Sequence, residues 1–504
     1  MSDLREYKLF VGGEWVDAAS GETFETTNPS DGRRVARVAK GGAEDMRRAI
    51  DVARAAADSG VWSDMSQDER SSRMLKAWEA LQANVSHLAN VEAEDAGHTM
   101  RMAHLFSIAL GVEHWKQLTQ LSRSLPEWEP VPYNDYPAPG WGMVHREPFG
   151  VTAAITPWNF PFILMMWKVA PALATGNTVV VKPATYTPLS TLEFARVLAE
   201  TDLFPPGVLN VVPGAGASAG EELVSNPNVD KVAFTGSTEV GRRVMQLASG
   251  SIKKVTLELG GKSANIMLED ADLDIAVPGS LWATFLHQGQ ICHSGTRLFV
   301  PASLHDEIVA RMVELAEGLR VGSAMDFESD IGPLINRTQY ETVDRYVQTG
   351  LEESAKLVTG GERAHVPGHD GGYYYKPTIF TDVRNDMKIA QEEIFGPVLS
   401  VIRYESVDEA LRMANESIYG LAGGVWSRDI PRALGLAKRM RTGTVWINDY
   451  HLINGFAPFG GYKQSGLGRE LGAWGLREYQ ETKYIHVDQV PTKEQKFWFQ
   501  ILGL

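Results

Sequence analysis

The sequence predicts an α/β protein with two layers of parallel sheet and helices and a projecting arm. From residue 144 onwards, short apolar runs alternate with helical segments, and strands separated by helices form parallel sheets with crossover connections. A proline-rich segment at residues 125–145 interrupts this order and reads as the arm. The length of 504 residues corresponds to about three domains at roughly 150 residues each.

The N-terminal part is predicted to combine short strands with two amphipathic helices. Residues 8–38 contain short apolar runs separated by glycine-rich turn signals. Residues 43–58 repeat alanine, isoleucine and methionine at three- and four-residue spacing, which predicts a helix. Residues 70–88 continue in the same style and are predicted to form a second one.

Five apolar runs are predicted to form the first parallel sheet. They are residues 151–155, 178–181, 208–212, 232–234 and 255–257. A second series of strands and helices spans residues 266–447, with apolar runs at 297–300 and 399–404. Residues 149–167 carry no charge and are long enough to cross a bilayer. Pro157 and Pro161 within that segment favour a buried strand, turn and helix instead, so no membrane association is expected.

Charge and cysteine content exclude several classes of function. With 48 Lys and Arg against 63 Asp and Glu, the net charge of −15 repels a phosphate backbone, so no nucleic-acid partner is expected. One cysteine excludes an internal disulfide framework and a thiolate metal site. The 12 histidines include no HExxH motif, so no catalytic metal is expected. Free cysteine, and residues 1–10 without an export signal, predict a cytoplasmic protein.

The only cysteine, Cys292, lies in a run of small residues. Most lone cysteines are inert core residues, which is the alternative here. Gly289, Ser294 and Gly295, however, leave room for a ligand to approach the backbone, so Cys292 is a candidate nucleophile. The adjacent His293 suggests a Cys-His pair, but sequence neighbours on a strand or helix point in different directions.

Two further motifs place polar side chains where catalysis could use them. Glu258 ends an apolar strand before two glycines, as a general base on a rigid strand end would. An ion pair with Lys262 is the alternative. Pro157, Pro161 and two aromatic residues would hold the amide of Asn159 in one place, where it could stabilise an oxyanion. A simple asparagine turn is the alternative.

Two glycine-containing segments follow predicted strands and are candidates for binding a dinucleotide. Residues 214–220 have GxGxxxG spacing, which departs from the GxGxxG fingerprint. Residues 234–241 end a strand and open a helix, where free N–H groups and the helix dipole favour a pyrophosphate. No GxxxxGK[ST] motif is present, which argues against a P-loop phosphotransferase.

Together these motifs resemble the NAD(P)-dependent aldehyde dehydrogenase superfamily, and the likeness runs nearly end to end. The matching segments are residues 10–15, 28–29, 157–161, 182–184, 234–237, 258–262, 289–292, 392–397 and 458–466. Several motifs in the correct order are far more specific than any one of them. The resemblance implies a Rossmann-type cofactor-binding domain, an α/β catalytic domain and a β-hairpin oligomerisation arm.

The resemblance also divides the chain and implies a homotetramer built as a dimer of dimers. The expected ranges are 1–124 and 148–258 for the cofactor-binding domain, 259–465 for the catalytic domain, 125–147 and 480–495 for oligomerisation elements, and 496–504 for a C-terminal tail. This tail is too apolar to be left in water. It is expected to pack against a neighbouring subunit or, as the alternative, on its own subunit.

The family's chemistry is implied for five residues. Cys292 would attack the aldehyde, and Asn159 with the backbone N–H of Cys292 would stabilise the oxyanion. Hydride would pass to NAD or NADP and leave a thioester, and Glu258 would activate the water that hydrolyses this thioester to a carboxylic acid. Lys168 and Glu470, at matching positions, would help to relay the proton.

Eight residues are implied in cofactor binding. They are Thr156, Trp158, Lys182, Thr185, Gly236, Ser237, Glu393 and Phe395. Lys182 and Glu393 would bind ribose hydroxyls, and Gly236-Ser237 the pyrophosphate. Many NAD-using relatives carry a glutamate at the position of Thr185. Its absence removes repulsion against a 2′-phosphate, which predicts that NADP is accepted, even in preference to NAD.

The substrate tunnel implied by the resemblance contains no Arg or Lys. Its residues would be Phe160, Ile163, Leu164, Trp167, Leu286, Ile291, His293, Ile453 and Phe459. A carboxylate-bearing semialdehyde would lack a cationic partner there, so an apolar aliphatic or aromatic aldehyde is expected. Aromatic walls leave betaine aldehyde as an alternative, and a semialdehyde is another alternative because loops outside this set could supply a cation. A CoA-acylating enzyme would not need Glu258, and a structural protein on the same fold would be free to lose Cys292.

Overall fold

The computed structural model describes residues 4–503, and its α/β architecture confirms the predicted fold class. It contains sheets of eight and seven strands and two sheets of three strands. Residues 1–3 of the predicted cofactor-binding domain and residue 504 of the predicted tail lie outside the described residues. Among residues 4–503, no helix has both the length and the apolar character needed to span a membrane.

The eight-stranded sheet has a parallel centre and antiparallel edges. In spatial order its strands are Gly466–Leu467, Lys254–Glu258, Lys231–Thr235, Val151–Ile155, Thr178–Lys182, Leu209–Val211, Leu9–Val11 and Glu14–Val16. The five strands from Lys254–Glu258 to Leu209–Val211 are parallel. Val151–Ile155 and Thr178–Lys182 are buried along their whole length, which is why they appear in the sequence as continuous apolar runs. A separate sheet holds Arg5–Tyr7, Arg34–Ala39 and Thr23–Thr27.

The helices of this half largely follow the sequence pattern, with one difference. They are Ala43–Asp58, Gln67–Ala83, Val85–Ala96, Met100–Met102, Ile108–Ser124, Pro161–Ala174, Leu189–Ala199, Glu221–Ser225 and Thr238–Ala248. The prediction of a single helix over residues 70–88 is wrong, because one helix ends at Ala83 and the next begins at Val85. Asn84 leaves the helical conformation (φ −105°, ψ 7°), and its side-chain amide donates to the Ala80 carbonyl over 2.9 Å.

The seven-stranded sheet forms the core of the second half. In spatial order its strands are Lys356–Thr359, Thr378–Thr381, Val398–Tyr404, Arg297–Pro301, Ala264–Met267, Ala422–Trp426 and Thr444–Ile447. All neighbours are parallel except the edge strand Lys356–Thr359. The helices of this half are Leu273–Phe285, His305–Glu317, Arg337–Glu352, Lys388–Gln391, Val407–Asn415 and Ile430–Ala437, and Gly472–Arg477 follows them.

Short 3₁₀ turns and π-turns connect several of these elements. The 3₁₀ turns are Ser249–Ser251, Leu286–Gly289, Ala302–Leu304, Lys463–Ser465 and Lys493–Gln495. Two π-turns are present, at Ala103–Ser107 and Gly216–Gly220. The second π-turn lies within the GxGxxxG segment, and the first interrupts the long helical stretch that ends at Ser124.

The proline-rich arm forms a small antiparallel sheet with a strand near the C-terminus. Its order is Gln480–Asp488, Gly140–Pro148 and Trp128–Pro130. Within residues 4–503, no strand pairs with the outer edge of Gln480–Asp488, and Tyr136 at the arm is 77% exposed. Unpaired strand edges and exposed aromatic side chains are typical of contacts between chains. The dimer of dimers stays a prediction, measurable as the mass of the particle in solution.

The C-terminal tail ends in the short helix Phe497–Leu502. Lys496 anchors the start of this helix through an ion pair with Asp488 (2.6 Å). No residue of the helix is buried, and Ile501 is 68% exposed. The apolar side chains therefore find little cover on their own subunit. Packing against a neighbouring subunit stays a prediction.

Candidate active site

The carboxyl ends of the parallel strands bring several predicted residues to one edge of the eight-stranded sheet. Asn159 follows the strand Val151–Ile155, and Lys182 ends the strand beside it. Glu258 ends the strand Lys254–Glu258 and lies in register with Thr235 on its neighbour. Strand order reverses on either side of Val151–Ile155, and open α/β sheets bind ligands at such a switch point.

Cys292 lies on the loop between the helix Leu273–Phe285 and the strand Arg297–Pro301. Its Sγ stands 3.7 Å from Nδ1 of His293, so the expectation that the two side chains point apart is wrong. They meet because the chain makes a turn here rather than a strand or helix. Burial lowers the pKa of His293 to about 3, so this ring is neutral and a weak base.

The thiol of Cys292 is strongly biased towards its protonated form. Burial has the largest effect on its pKa, and the nearby carboxylates of Glu393 and Glu258 add to it. All three raise the pKa well above the usual cysteine range. Because these surroundings disfavour the thiolate, losing the proton costs free energy before the sulfur can act as a nucleophile.

Asn159 is held by one hydrogen bond from its side-chain amide and by another to its backbone carbonyl. Its Nδ2 donates to the backbone carbonyl of Gln290 over 2.8 Å, which ties the strand-end loop to the Cys292 loop. Nε2 of the buried His98 donates to the backbone carbonyl of Asn159 over 2.6 Å. An asparagine amide has two N–H groups, so one remains for another acceptor. An immobile donor of this kind suits an oxyanion.

Glu258 is a buried carboxyl without a partner. It is 3% exposed, and neither of its oxygens has a hydrogen-bond partner in the described chain. Lys262 Nζ has none either, so the alternative ion pair between these two residues is not formed. Burial, followed by the charge of Glu470, raises the pKa of Glu258 well above its usual value. A side chain at Gly460 would stand 2.7 Å from Glu258 Oε1, so glycine keeps this space open.

The two predicted relay residues form a buried ion pair. Lys168 Nζ donates to Glu470 Oε1 over 2.6 Å and to Thr235 Oγ1 over 2.6 Å. The other oxygen of Glu470 has no partner in the described chain. Glu470 raises the pKa of Glu258 and Lys168 lowers it, so the pair lies within electrostatic range of that carboxyl. Loss of either partner would leave an uncompensated buried charge.

The residues beside Lys182 present polar atoms that the protein does not saturate. Lys182 Nζ donates to the carbonyls of Pro183 (2.8 Å) and Gly214 (3.0 Å), and burial lowers its pKa to about 8. An ammonium has three donors, so one remains available. Thr156 Oγ1 is buried without a partner among residues 4–503, and the exposed Thr185 lies beside Gly214. Such donors at a strand end fit a hydroxyl-rich ligand.

The remaining cofactor candidates surround the same sheet edge. Ser237 caps the helix Thr238–Ala248 and is exposed with the helix N-terminus. Trp158 and Phe395 meet edge to face, with 5.2 Å between ring centroids. Glu393 accepts from the backbone N–H of Gly261 over 3.2 Å, and burial raises its pKa to about 7. The exposed helix N-terminus fits a pyrophosphate.

Two glycines after Glu258 allow the two halves of the site to approach closely. A side chain at Gly260 would collide with the carboxylate of Glu393, and one at Gly261 would collide with the backbone carbonyl of Cys292. The strand-end turn therefore lies directly against the nucleophile loop. This close approach accounts for the effect of the Glu258 carboxyl, which raises the pKa of the Cys292 thiol.

A narrow apolar cavity of about 30 Å³ lies against Cys292 and Asn159. Its lining is Phe106, Asn159, Phe160, Ile163, Leu164, Trp167, Ile291, Cys292, His293, His451, Ile453 and Phe459. Every predicted tunnel residue except Leu286 is in this set. Leu286 instead lines a larger neighbouring cavity, where it follows the last residue of the helix Leu273–Phe285 and shares the lining with Phe285.

Three residues of the site were not predicted from the sequence. His98 holds the Asn159 backbone, and Phe106 and His451 line the narrow cavity. None lies in the motifs that predicted the site, although Gly97 directly precedes His98. The sequence carries no signal for Phe106 in particular, since its position depends on the π-turn Ala103–Ser107.

Comparison with known proteins shows which family this sequence resembles. A family model described as the aldehyde dehydrogenase family matches residues 15–485. The chain is 43% identical over 493 residues to a betaine aldehyde dehydrogenase of Bacillus subtilis (strain 168), covering 97% of this chain and 99% of that protein. It is 42% identical over 492 residues to the mitochondrial aldehyde dehydrogenase of Homo sapiens, covering 96% and 92%.

Solved structures agree as well. The NAD+ complex of an aldehyde dehydrogenase from Bacillus cereus matches with a TM-score of 0.93 and 42% identity, covering 96% of this chain and 97% of that chain. With a family model that spans most of the sequence and relatives matched along nearly their full length, the chain belongs to the aldehyde dehydrogenase family.

Proposed function

We propose that this protein oxidises an apolar aldehyde to a carboxylic acid, with NAD or NADP as the hydride acceptor. One observation carries the proposal. The apolar cavity is lined by both the Cys292 thiol and the Asn159 amide, while the buried carboxyl of Glu258 is close enough to raise the pKa of that thiol. A nucleophile and an oxyanion donor thus line one apolar cavity, and a candidate base lies within electrostatic range of the nucleophile.

In the first half of the reaction, Cys292 Sγ loses its proton to solvent and bonds to the carbonyl carbon. The electron pair of the C=O bond moves to oxygen, where the free N–H of Asn159 and the backbone N–H of Cys292 stabilise it. Bound NAD(P) would supply the acceptor for the hydride that leaves this carbon. Loss of the hydride restores the C=O bond and leaves a thioester on Cys292.

In the second half, Glu258 takes a proton from a water molecule. The water oxygen bonds to the thioester carbon, the C–S bond breaks, and the acid departs as Cys292 is restored. We propose that the proton then passes towards the Lys168–Glu470 pair. The unpartnered oxygen of Glu470 supports this step, because it can accept a hydrogen bond without losing another.

The residues at the sheet edge fit NAD(P). Lys182 and Glu393 would bind ribose hydroxyls, and Gly236 and Ser237 the pyrophosphate. The spare donor of Lys182 and the exposed helix N-terminus support these roles. Thr156, Trp158 and Phe395 complete the set: Thr156 has an unpartnered buried hydroxyl, and the two aromatic rings can pack against the cofactor.

The exposed Thr185 is expected to let NADP bind, because a hydroxyl tolerates a 2′-phosphate that a carboxylate would repel. Thr185→Glu should lower kcat/KM for NADP at least about tenfold and leave that for NAD within about threefold. Thr23→Glu, which adds the same charge at an exposed strand position away from this edge, is the control. Strict use of NAD by the parent enzyme would contradict the prediction.

Betaine aldehyde is the second candidate substrate. Trp167 and Phe459 in the cavity wall have ring centroids 5.1 Å apart, and aromatic faces can bind a quaternary ammonium. The name of the Bacillus subtilis relative also favours this substrate. Against it, the cavity lining contains no carboxylate to offset the cost of desolvating a cation.

A pair of isosteric aldehydes separates these two substrates. Betaine aldehyde and 3,3-dimethylbutanal have the same shape and differ only in the charge of the central atom. We expect kcat/KM, measured by cofactor absorbance, to be at least about tenfold higher for the uncharged aldehyde. The reverse order would establish the second candidate. No cofactor reduction with either, or with propanal and benzaldehyde, would contradict the enzymatic proposal.

A further inference from the structure

A second, larger apolar cavity adjoins the one that contains Cys292. This chamber has a volume of about 580 Å³, and apolar side chains dominate its lining. The residues that matter here are Leu105, Phe106, Trp282, Leu286 and Leu315. Phe106 also lines the narrow cavity, so one side chain is shared by the two spaces.

Phe106 stands as the wall between the two cavities. Its ring lies edge-on to Phe160, with 6.4 Å between centroids, and to Trp282, with 6.3 Å and an interplanar angle of 87°. Phe160 lines the narrow cavity and Trp282 lines the chamber. Trp282 is held in place because its Nε1 donates to the Tyr450 carbonyl over 3.0 Å. Among the described residues, Phe106 is therefore the one residue that belongs to the lining of both spaces.

The backbone around Phe106 is wider than a regular helix. The π-turn Ala103–Ser107 holds one more residue than an α-helical turn, and turns of this kind are frequent at functional sites. Ser107 at its end donates to the buried carboxylate of Glu92, which fixes the turn on the inner side. Leu105 remains 74% exposed at the rim of the chamber. Leu105 and Phe106, adjacent in sequence, both line it.

The chamber lacks a free charge for a polar headgroup. The charged residues among its lining are Arg101 and Asp330, and these bond to each other at the edge. A charged ligand would have to break that pair. Uncharged hydrocarbon matches the remaining lining.

We infer that the chamber binds the hydrocarbon tail of a long, unbranched aliphatic aldehyde whose carbonyl lies at Cys292. Phe106 would separate short from long substrates. The inference rests on the proposed oxidation and narrows its substrate class. The chain must be unbranched because it reaches the chamber through the narrow cavity. Each methylene that leaves water for apolar surroundings increases binding about fourfold, so kcat/KM should rise once the tail passes Phe106.

Two half-exposed leucines provide matched variants. Leu315, 44% exposed on the helix His305–Glu317, lines the chamber, whereas Leu351, 43% exposed on the helix Arg337–Glu352, does not. We compare kcat/KM for dodecanal with that for propanal in each enzyme. Leu315→Glu should lower this ratio at least about tenfold, because a carboxylate in the chamber disfavours hydrocarbon. Leu351→Glu should leave the ratio within about twofold of the parent.

Opening the wall gives a second test. Phe106→Ala should raise kcat/KM for 5,5-dimethylhexanal, which is branched away from its carbonyl, relative to propanal, because the side chain that blocks a branched tail is gone. The inference is overturned if the ratio of kcat/KM for dodecanal to kcat/KM for propanal is the same in Leu315→Glu and Leu351→Glu. It is also overturned if kcat/KM of the parent does not rise beyond hexanal.

Binding of decanamide, measured by calorimetry, separates failure of the chamber inference from failure of the proposed function. The binding of this uncharged ligand does not depend on turnover. Binding at least about tenfold weaker to Leu315→Glu than to Leu351→Glu supports the chamber even if no aldehyde is oxidised. Equal binding to both variants overturns the chamber even if short aldehydes are oxidised.

Discussion

Cys292→Ala is expected to lower kcat/KM for propanal by at least about ten-thousandfold. An aldehyde has no leaving group other than hydride, so the carbon must first be made tetrahedral by a nucleophile. Cys292 is the only thiol in the chain, and its sulfur lines the same cavity as the Asn159 amide. Alanine keeps the cavity apolar and removes only the sulfur. Initial rates of NAD(P)H formation measure the effect.

Alkylation of the single thiol provides the control for this prediction. Because burial and nearby carboxylates raise the pKa of Cys292, labelling by iodoacetamide should be slow near neutral pH. It should still accelerate as the pH rises through the usual cysteine range. Mass spectrometry should find one label per parent chain and none on Cys292→Ala. Full turnover in a completely labelled enzyme would contradict the role of the thiol.

Glu258→Gln is expected to lower steady-state turnover about a thousandfold while preserving the first turnover. The variant keeps the thiol and the amide, so the thioester still forms, but no carboxylate takes the proton from water. A rapid burst of one NAD(P)H per active subunit should precede the slow phase. Stopped-flow absorbance resolves both phases, and the exposed Glu341→Gln serves as the control for losing one carboxylate elsewhere.

The pH dependence distinguishes a base from a structural carboxyl. Burial raises the pKa of Glu258, so its ionised form increases only as the pH climbs above the usual carboxyl range. Thioester hydrolysis in the parent should therefore accelerate as the pH rises above the usual carboxyl range, and the residual rate of Glu258→Gln should lack this increase. Absence of a burst in the variant would contradict a role confined to hydrolysis.

Several features of the site could be predicted because they are local. Cys292 among small residues, Glu258 at the end of an apolar strand and Asn159 between two prolines each have a short sequence signature. The buried parallel strands could also be predicted, since a strand covered on both faces is a continuous apolar run. The helix predicted over residues 70–88 failed at Asn84 because the side chain of a single residue diverted the backbone.

The sequence by itself determined the order of strands and helices, the parallel sheets, the family resemblance and the candidate chemical groups. Only the tertiary structure decided which groups meet. The Asn159 amide reaches the Gln290 carbonyl across 131 residues of chain, and Phe106 comes to separate two cavities through a π-turn. Contacts of this kind depend on how separate elements pack together, and the apolar pattern of a segment shows which of its faces is buried but not which partner that face meets.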